Sequence, residues 1–113
     1  MKISTLAIAL MFSASATIAF AADKAPVLDK NSCGKADYPK AALMNEESGV
    51  VTLAVLVMPD GSVTDSKVEK SSGSKTLDKA AQKIYTSCKY SPGTKDGKSE
   101  QAWTKVEHVW TLS

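Results

Sequence analysis

Arginine is missing altogether: all 14 basic residues of this 113-residue chain are lysines. Histidine occurs once, as His108, and cysteine twice, as Cys33 and Cys88. These shortages exclude several kinds of chemistry. Nucleic-acid readers concentrate basic side chains on one face or stripe, whereas these lysines are interspersed with Asp and Glu and the net charge is only +2. A zinc site needs three or four His, Cys or acidic ligands at short spacing. A hydrolase needs a nucleophile with a positioned base, or two carboxylates with split pKa values. One histidine, two distant cysteines, and acids at turns and helix surfaces supply none of these. No enzyme is expected, and neither cofactor nor metal. Internal repeats and low-complexity tracts are absent too.

What is present begins with an export signal. Lys2 gives a positive start, Ile3 to Phe12 is mostly apolar, and Ala19-Phe20-Ala21 fits the small-residue cleavage rule. Cleavage after Ala21 is expected, which removes Lys2 and lowers the charge from +2 to +1. An uncleaved segment would instead make a short membrane-anchored transducer, since residues 3–22 carry no charge and just reach the length of a span. The remaining residues suffice for one domain. A chain of this size buries only about 60% of its unfolded surface, so a covalent staple would help it.

Cys33 and Cys88 offer that staple. An even cysteine count across a long stretch, in an oxidising compartment, reads as a structural disulfide. Closing such a loop stabilises by up to ~4 kcal/mol on the chain-entropy model. The alternative is a catalytic thiol, which needs a partner base, and His108 sits in a strand pattern with no orienting motif.

Periodicity orders the rest into an extended leader at 22–36 and a domain at 37–113. A first short helix can start at Tyr38-Pro39, because proline is favoured at the first helical position, and Gly49 is a natural stop. Val50 to Met58 is apolar on both faces, with Val51, Leu53, Val55 and Val57 on one of them, and predicts a central strand. Pro59-Asp60-Gly61-Ser62 has turn chemistry. A more polar strand follows to Lys70, and the odd spacing of Val63 and Val68 predicts a bulge or bend. After Ser71-Ser72-Gly73-Ser74, the residues Leu77, Ala80, Ala81, Ile84 and Cys88 recur at helical spacing, up to a break at Ser91-Pro92-Gly93. Asp96-Gly97 marks another turn. Gln101 to Leu112 reads as a long last strand, with Val106, His108, Trp110 and Leu112 on one face. The order helix, strand, strand, helix, strand predicts an α+β domain, a three-stranded antiparallel sheet with both helices on one face.

Several of these signals occur together in one order: Tyr38-Pro39 with Ala42, Gly49-Val50-Val51, Pro59-Asp60-Gly61-Ser62-Val63, Ser71-Ser72-Gly73, Leu77-Asp78 with Ala80-Ala81, Tyr90-Ser91-Pro92-Gly93, and Asp96-Gly97-Lys98 before Trp103. In that order the chain resembles the TonB C-terminal domain family over residues 38–112. The resemblance implies a periplasmic module for protein binding in transport. Its partner would be the TonB box, a short extended peptide of an outer-membrane transporter, added as a strand to a sheet edge. It also implies which residues receive the partner: Trp103, Lys105, Val106, Glu107 and Val109 on the last strand, with Lys35 and Asp37 just before the Tyr-Pro pair.

The chain departs from the family in three ways. Its apolar N-terminal segment looks cleavable and lacks the intramembrane histidine of the motor-coupled helix. The leader holds only Pro26 and reaches at most on the order of 55 Å when fully extended. The paired cysteines mark a stapled form. An alternative task is an envelope-integrity role, binding peptidoglycan or another envelope protein as TolA-like domains do. Open sheet edges also allow a homodimer. Trp110 is expected in the core, while Trp103 is left open between core and contact.

Overall fold

The structure is a computed structural model and describes residues 23–112. The expected signal peptide, residues 1–21, lies outside the described residues, as does Ala22. Ten short elements follow: β1 (Val27–Asp29), a 3-10 turn (Lys30–Ser32), α1 (Lys40–Met44), β2 (Gly49–Val57), β3 (Val63–Lys70), α2 (Lys75–Thr86), β4 (Lys89–Ser91), β5 (Gly93–Lys95), β6 (Lys98–Glu100) and β7 (Ala102–Trp110).

The principal sheet runs β3-β2-β7, antiparallel throughout, with β2 in the centre as its apolar sequence predicts. Alternation sorts β2 cleanly. Val51, Leu53, Val55 and Val57 are fully buried beneath the helices, whereas Val50 on the opposite face is 39% exposed. Two cores lie under the helical layer. One gathers Ala42 of α1, Val51 and Leu53 of β2, Leu77 and Ala81 of α2, and Trp110 of β7. The second gathers Val55, Val57, Cys88 and Tyr90, with Leu28, Cys33 and Val106 packed around it. Burying an aliphatic side chain as large as Leu53 or Leu77 contributes about 1.5–3 kcal/mol, so these few residues hold the layers together.

The hairpin between β2 and β3 closes with Gly61 N–H on the Met58 carbonyl at 2.8 Å and Met58 N–H on the Ser62 carbonyl at 2.8 Å. Gly61 has φ +90° and faces the Tyr90 backbone so closely that a Cβ would sit 2.3 Å from its carbonyl oxygen. Only glycine meets both conditions. The predicted irregularity in β3 is present as register shifts at Thr52/Leu53 and Leu56/Val57.

Element ends differ from the sequence expectations for local reasons. Pro39 is the N-cap of α1 in an extended conformation (ψ 134°), and the helix starts at Lys40. The left-handed residue after α1 is Glu46 (φ 53°), so Gly49 opens β2 instead of stopping the helix. Helix α2 stops at Thr86, short of the expected break. There the Thr86 and Ser87 hydroxyls donate to the Gln82 and Ile84 carbonyls at 2.7 and 2.9 Å, competing with continuation of the helix. Cys88 thereby leaves the helix and bonds to Cys33, closing 55 residues. The leader is more ordered than its composition indicated. β1 pairs with β4 beside the disulfide, a pairing no local periodicity announces. Asp96 and Gly97, both at positive φ (53° and 79°), form the two-residue turn of the β5-β6 hairpin, as such turns require.

Candidate functional site

β7 is held by β2 along one side, from Gly49↔Trp110 to Val57↔Ala102. Among the described residues nothing pairs with its other side. A strand edge of this kind presents a row of unpaired N–H and C=O groups, ready to take another strand.

Its side chains alternate. On the helix side, Val106 closes both cores and Trp110 is 3% exposed. Between them the Tyr85 hydroxyl of α2 is hydrogen-bonded to His108 Nδ1 at 2.8 Å. His108 lies 4.4 Å from Trp110 between ring centroids, and Tyr38 meets Trp110 edge-on at 5.1 Å. Burial holds the His108 pKa below its ordinary value and raises that of Tyr85. Both shifts favour the neutral forms of the pair. Tyr90 is pushed up to about 12, by burial first and then by the neighbouring Tyr85.

On the open side, Trp103 is 43% and Val109 53% exposed. Lys67 reaches over the Trp103 ring, 4.8 Å from its centroid, and Lys105 pairs with Glu69 at 3.4 Å. Both contacts cross β2 above Ala54, whose small side chain leaves the space. Exposed pairs of this kind contribute little to stability. Trp110 is a core residue as expected, and Trp103 is a surface one.

Two grooves open in the helical layer, one of them at this edge. One, of about 460 Å³, is lined by Leu28, Lys30, Cys33, Tyr85, Val106 and Glu107. The other, of about 340 Å³, lies between the leader and α2 and includes Lys35, Asp37, Lys83 and Ile84. The structure thus brings Val106 together with Leu28, Lys30 and the disulfide, with Glu107 of the open face bordering that groove, and places Lys35 and Asp37 in the second groove. Trp103 and Lys105 sit on the opposite face of the sheet, in a shallow depression over Ala54. The backbone of residues 34–37, which walls the second groove, makes no hydrogen bond among the described residues. Leu28, Lys30 and Tyr85 escaped the sequence reading. The apolar pair Val27-Leu28 was the one available signal, too short to show a period.

Among the described residues no group of three or more His, Cys, Asp or Glu could hold a metal ion, and no helix is long and apolar enough to cross a membrane.

A two-layer α+β domain with a free terminal edge strand, flanked by an unpaired stretch of its own leader, belongs to the class of small domains built around an accessible sheet edge. Within that class, the chain belongs to the TonB C-terminal family: the family described as Gram-negative bacterial TonB protein C-terminal matches residues 34–112. The chain is 36% identical over 70 residues to the protein tonB2 of Pseudomonas aeruginosa, covering 62% of this chain and 26% of that one. It is 45% identical over 58 residues to the TonB protein of Neisseria gonorrhoeae, covering 51% and 20%. It therefore spans about a fifth to a quarter of the length of these curated relatives. The solution structure of the Helicobacter pylori TonB C-terminal domain superposes with a TM-score of 0.53 at 30% identity, over 69% of this chain and 70% of that one. The Pseudomonas aeruginosa TonB C-terminal domain gives 0.58 at 19% identity, over 71% and 81%, a likeness of fold.

Proposed function

We propose that this chain is a non-catalytic periplasmic binding module that takes an extended segment of an envelope partner as an added strand on the outer edge of β7. The observation that carries this reading is the pairing of two unsatisfied backbones, the free edge of β7 and the unbonded stretch 34–37. β-Augmentation draws its affinity from such main-chain groups and its selectivity from alternate side chains. The family supports a TonB box of an outer-membrane transporter as the segment. The sheet has a second edge, β3, but its exposed residues are mostly charged or polar, including Asp65, Lys67, Glu69 and Lys70. That pattern discourages pairing.

Lys35 and Asp37 would flank the incoming strand from the leader side. Lys105 and Glu107 would meet its outward side chains, and Trp103 and Val109 would extend the contact along the open face. Removal of residues 1–21 belongs to the same reading, and the mass of the secreted N-terminus checks it.

The test is a titration of the isotopically labelled chain with TonB-box peptides, followed through backbone amides. Shifts concentrated in β7 and residues 34–37 are expected. Shifts confined to β3, or none with any transporter peptide, would overturn the reading. Affinity capture from a Gram-negative envelope extract gives an independent check. Transporters are the expected catch, and recovery of cell wall alone would reassign the domain to peptidoglycan.

A further inference from the structure

The outer side of the helical layer, turned away from the sheet, takes no part in strand addition. Leu77, Ala81 and Ile84 point inward from α2 onto the core. A helix advances about 100° per residue, which turns Lys75, Lys79 and Lys83 outward within an arc of about 80° and spaces them about 6 Å apart along the axis. All three are exposed, and none has an ion-pair partner among the described residues. The acid of this helix, Asp78, is buried and held by Ser71 and Ser72, so α2 shows only positive charge to solvent. α1 packs on the same side of the sheet through Ala42. Its opposite face carries Lys40 and Met44, one turn apart, with Met44 82% exposed. Acids border this surface without cancelling it. Glu47 accepts from the Ser74 hydroxyl at 2.7 Å, Glu46 lies past the end of α1, and Asp37 shares its groove with two lysines, Lys35 and Lys83.

The lysine row works against the helix that carries it. Like charges four residues apart repel, and Lys75, in the first turn, opposes the helix dipole. Local folding therefore does not account for the row. A row of unpaired lysines beside one protruding thioether offers no pocket that reads a shape. It matches a surface of negative charge over an apolar interior. We infer that the outer side of the helical layer is a docking surface for a bilayer rich in anionic phospholipid. Lys75, Lys79 and Lys83 meet the lipid phosphates, Lys40 supports them from α1, and Met44 enters the headgroup boundary. Docked this way, the open face of the sheet points away from the bilayer and the edge of β7 stays lateral and free.

Co-sedimentation with vesicles of equal phosphatidylglycerol and phosphatidylcholine tests this, using the exported chain with its N-terminus read by mass spectrometry. Binding is expected, falling as salt is raised, with much weaker binding to phosphatidylcholine alone. Each lysine near an anionic surface strengthens binding about fivefold. The triple variant Lys75→Gln, Lys79→Gln, Lys83→Gln should therefore bind about a hundredfold more weakly. A second triple with the same loss of charge, Lys24→Gln, Lys95→Gln, Lys98→Gln, also at exposed sites, should bind like the parent chain. Met44→Ser should weaken binding at unchanged charge. Urea midpoints establish that each variant folds. Equal losses in the two triples would mean that net charge alone attracts the chain, and vesicle binding that neither triple changes would put the contact elsewhere. Either result overturns the inference, as does absence of binding to the anionic vesicles. Binding to purified cell wall that is lost in the first triple, with none to vesicles, would make peptidoglycan the occupant instead.

Discussion

Asp78 shows how one side chain can organise a junction. Only 7% exposed, it receives the Ser71 hydroxyl, the Ser72 hydroxyl at 2.7 Å and the Ser72 N–H at 2.9 Å. Burial alone would raise its pKa, yet these donors outweigh burial and hold it below the usual value. Next to it Ser74 caps α2 by accepting from Leu77 N–H at 3.1 Å and donates to Glu47 at 2.7 Å. Asp78→Ala leaves several donors without their acceptor and should destabilise by about 2–3 kcal/mol, read as a lower urea midpoint. His108 gives the second prediction at this scale. Its folded pKa is depressed by burial, so the unfolded chain takes up the proton first as pH falls. The contribution is complete above the unfolded value of about 6.5 and is lost on acidification through the folded value. The urea midpoint should drop from pH 7 towards pH 5, and His108→Asn should flatten that drop. A parallel drop in both proteins would assign the effect to other groups.

At the level of elements, the disulfide decides which pieces count as fold. β1 and β4 are three residues each, and a pair so short is not stable alone. Cys33–Cys88 joins their ends and closes 55 residues, an entropic stabilisation of up to ~4 kcal/mol. Reduction by a dithiol should lower the urea midpoint. It should also release hydrogen-exchange protection in β1 and β4 before β2; simultaneous loss in all three would mean that the leader is not a separate unit. The same contrast explains what the sequence made legible. The principal sheet and α2 announced themselves because Val51, Leu53, Val55 and Val57 alternate over a full strand and Leu77, Ala81 and Ile84 recur at helical spacing. The cysteine pair was readable from count and compartment. The β1-β4 ribbon was not, because three residues hold no period and their order comes from a partner about sixty positions away. For the same reason the groove was only half foreseen. Val106 and Glu107 lay on a strand whose faces could be counted, whereas Leu28 and Lys30 arrive beside them through the disulfide.

At the scale of the whole molecule, an open edge can take a strand of its own kind as well as a partner's. The open face of β7 reads Trp103, Lys105, Glu107, Val109, with apolar residues at both ends and opposite charges in the middle. Lys105 is tied to Glu69 on β3, and Glu107 has no ion-pair partner among the described residues. Charges at this position contribute little to stability; their effect is on association, since a strand docking here must strip water from Lys105 and Glu107. Replacing both by valine would leave an unbroken apolar row, Trp103 to Val109, beside an unpaired backbone and continuous with exposed Val50. The double variant Lys105→Val with Glu107→Val should keep its urea midpoint within about 1 kcal/mol and yet self-associate, with a sedimentation coefficient that climbs with concentration above that of the parent chain. A double variant that sediments like the parent at every concentration would mean that something other than these charges guards the edge, and the unpaired stretch 34–37 would be the next place to look.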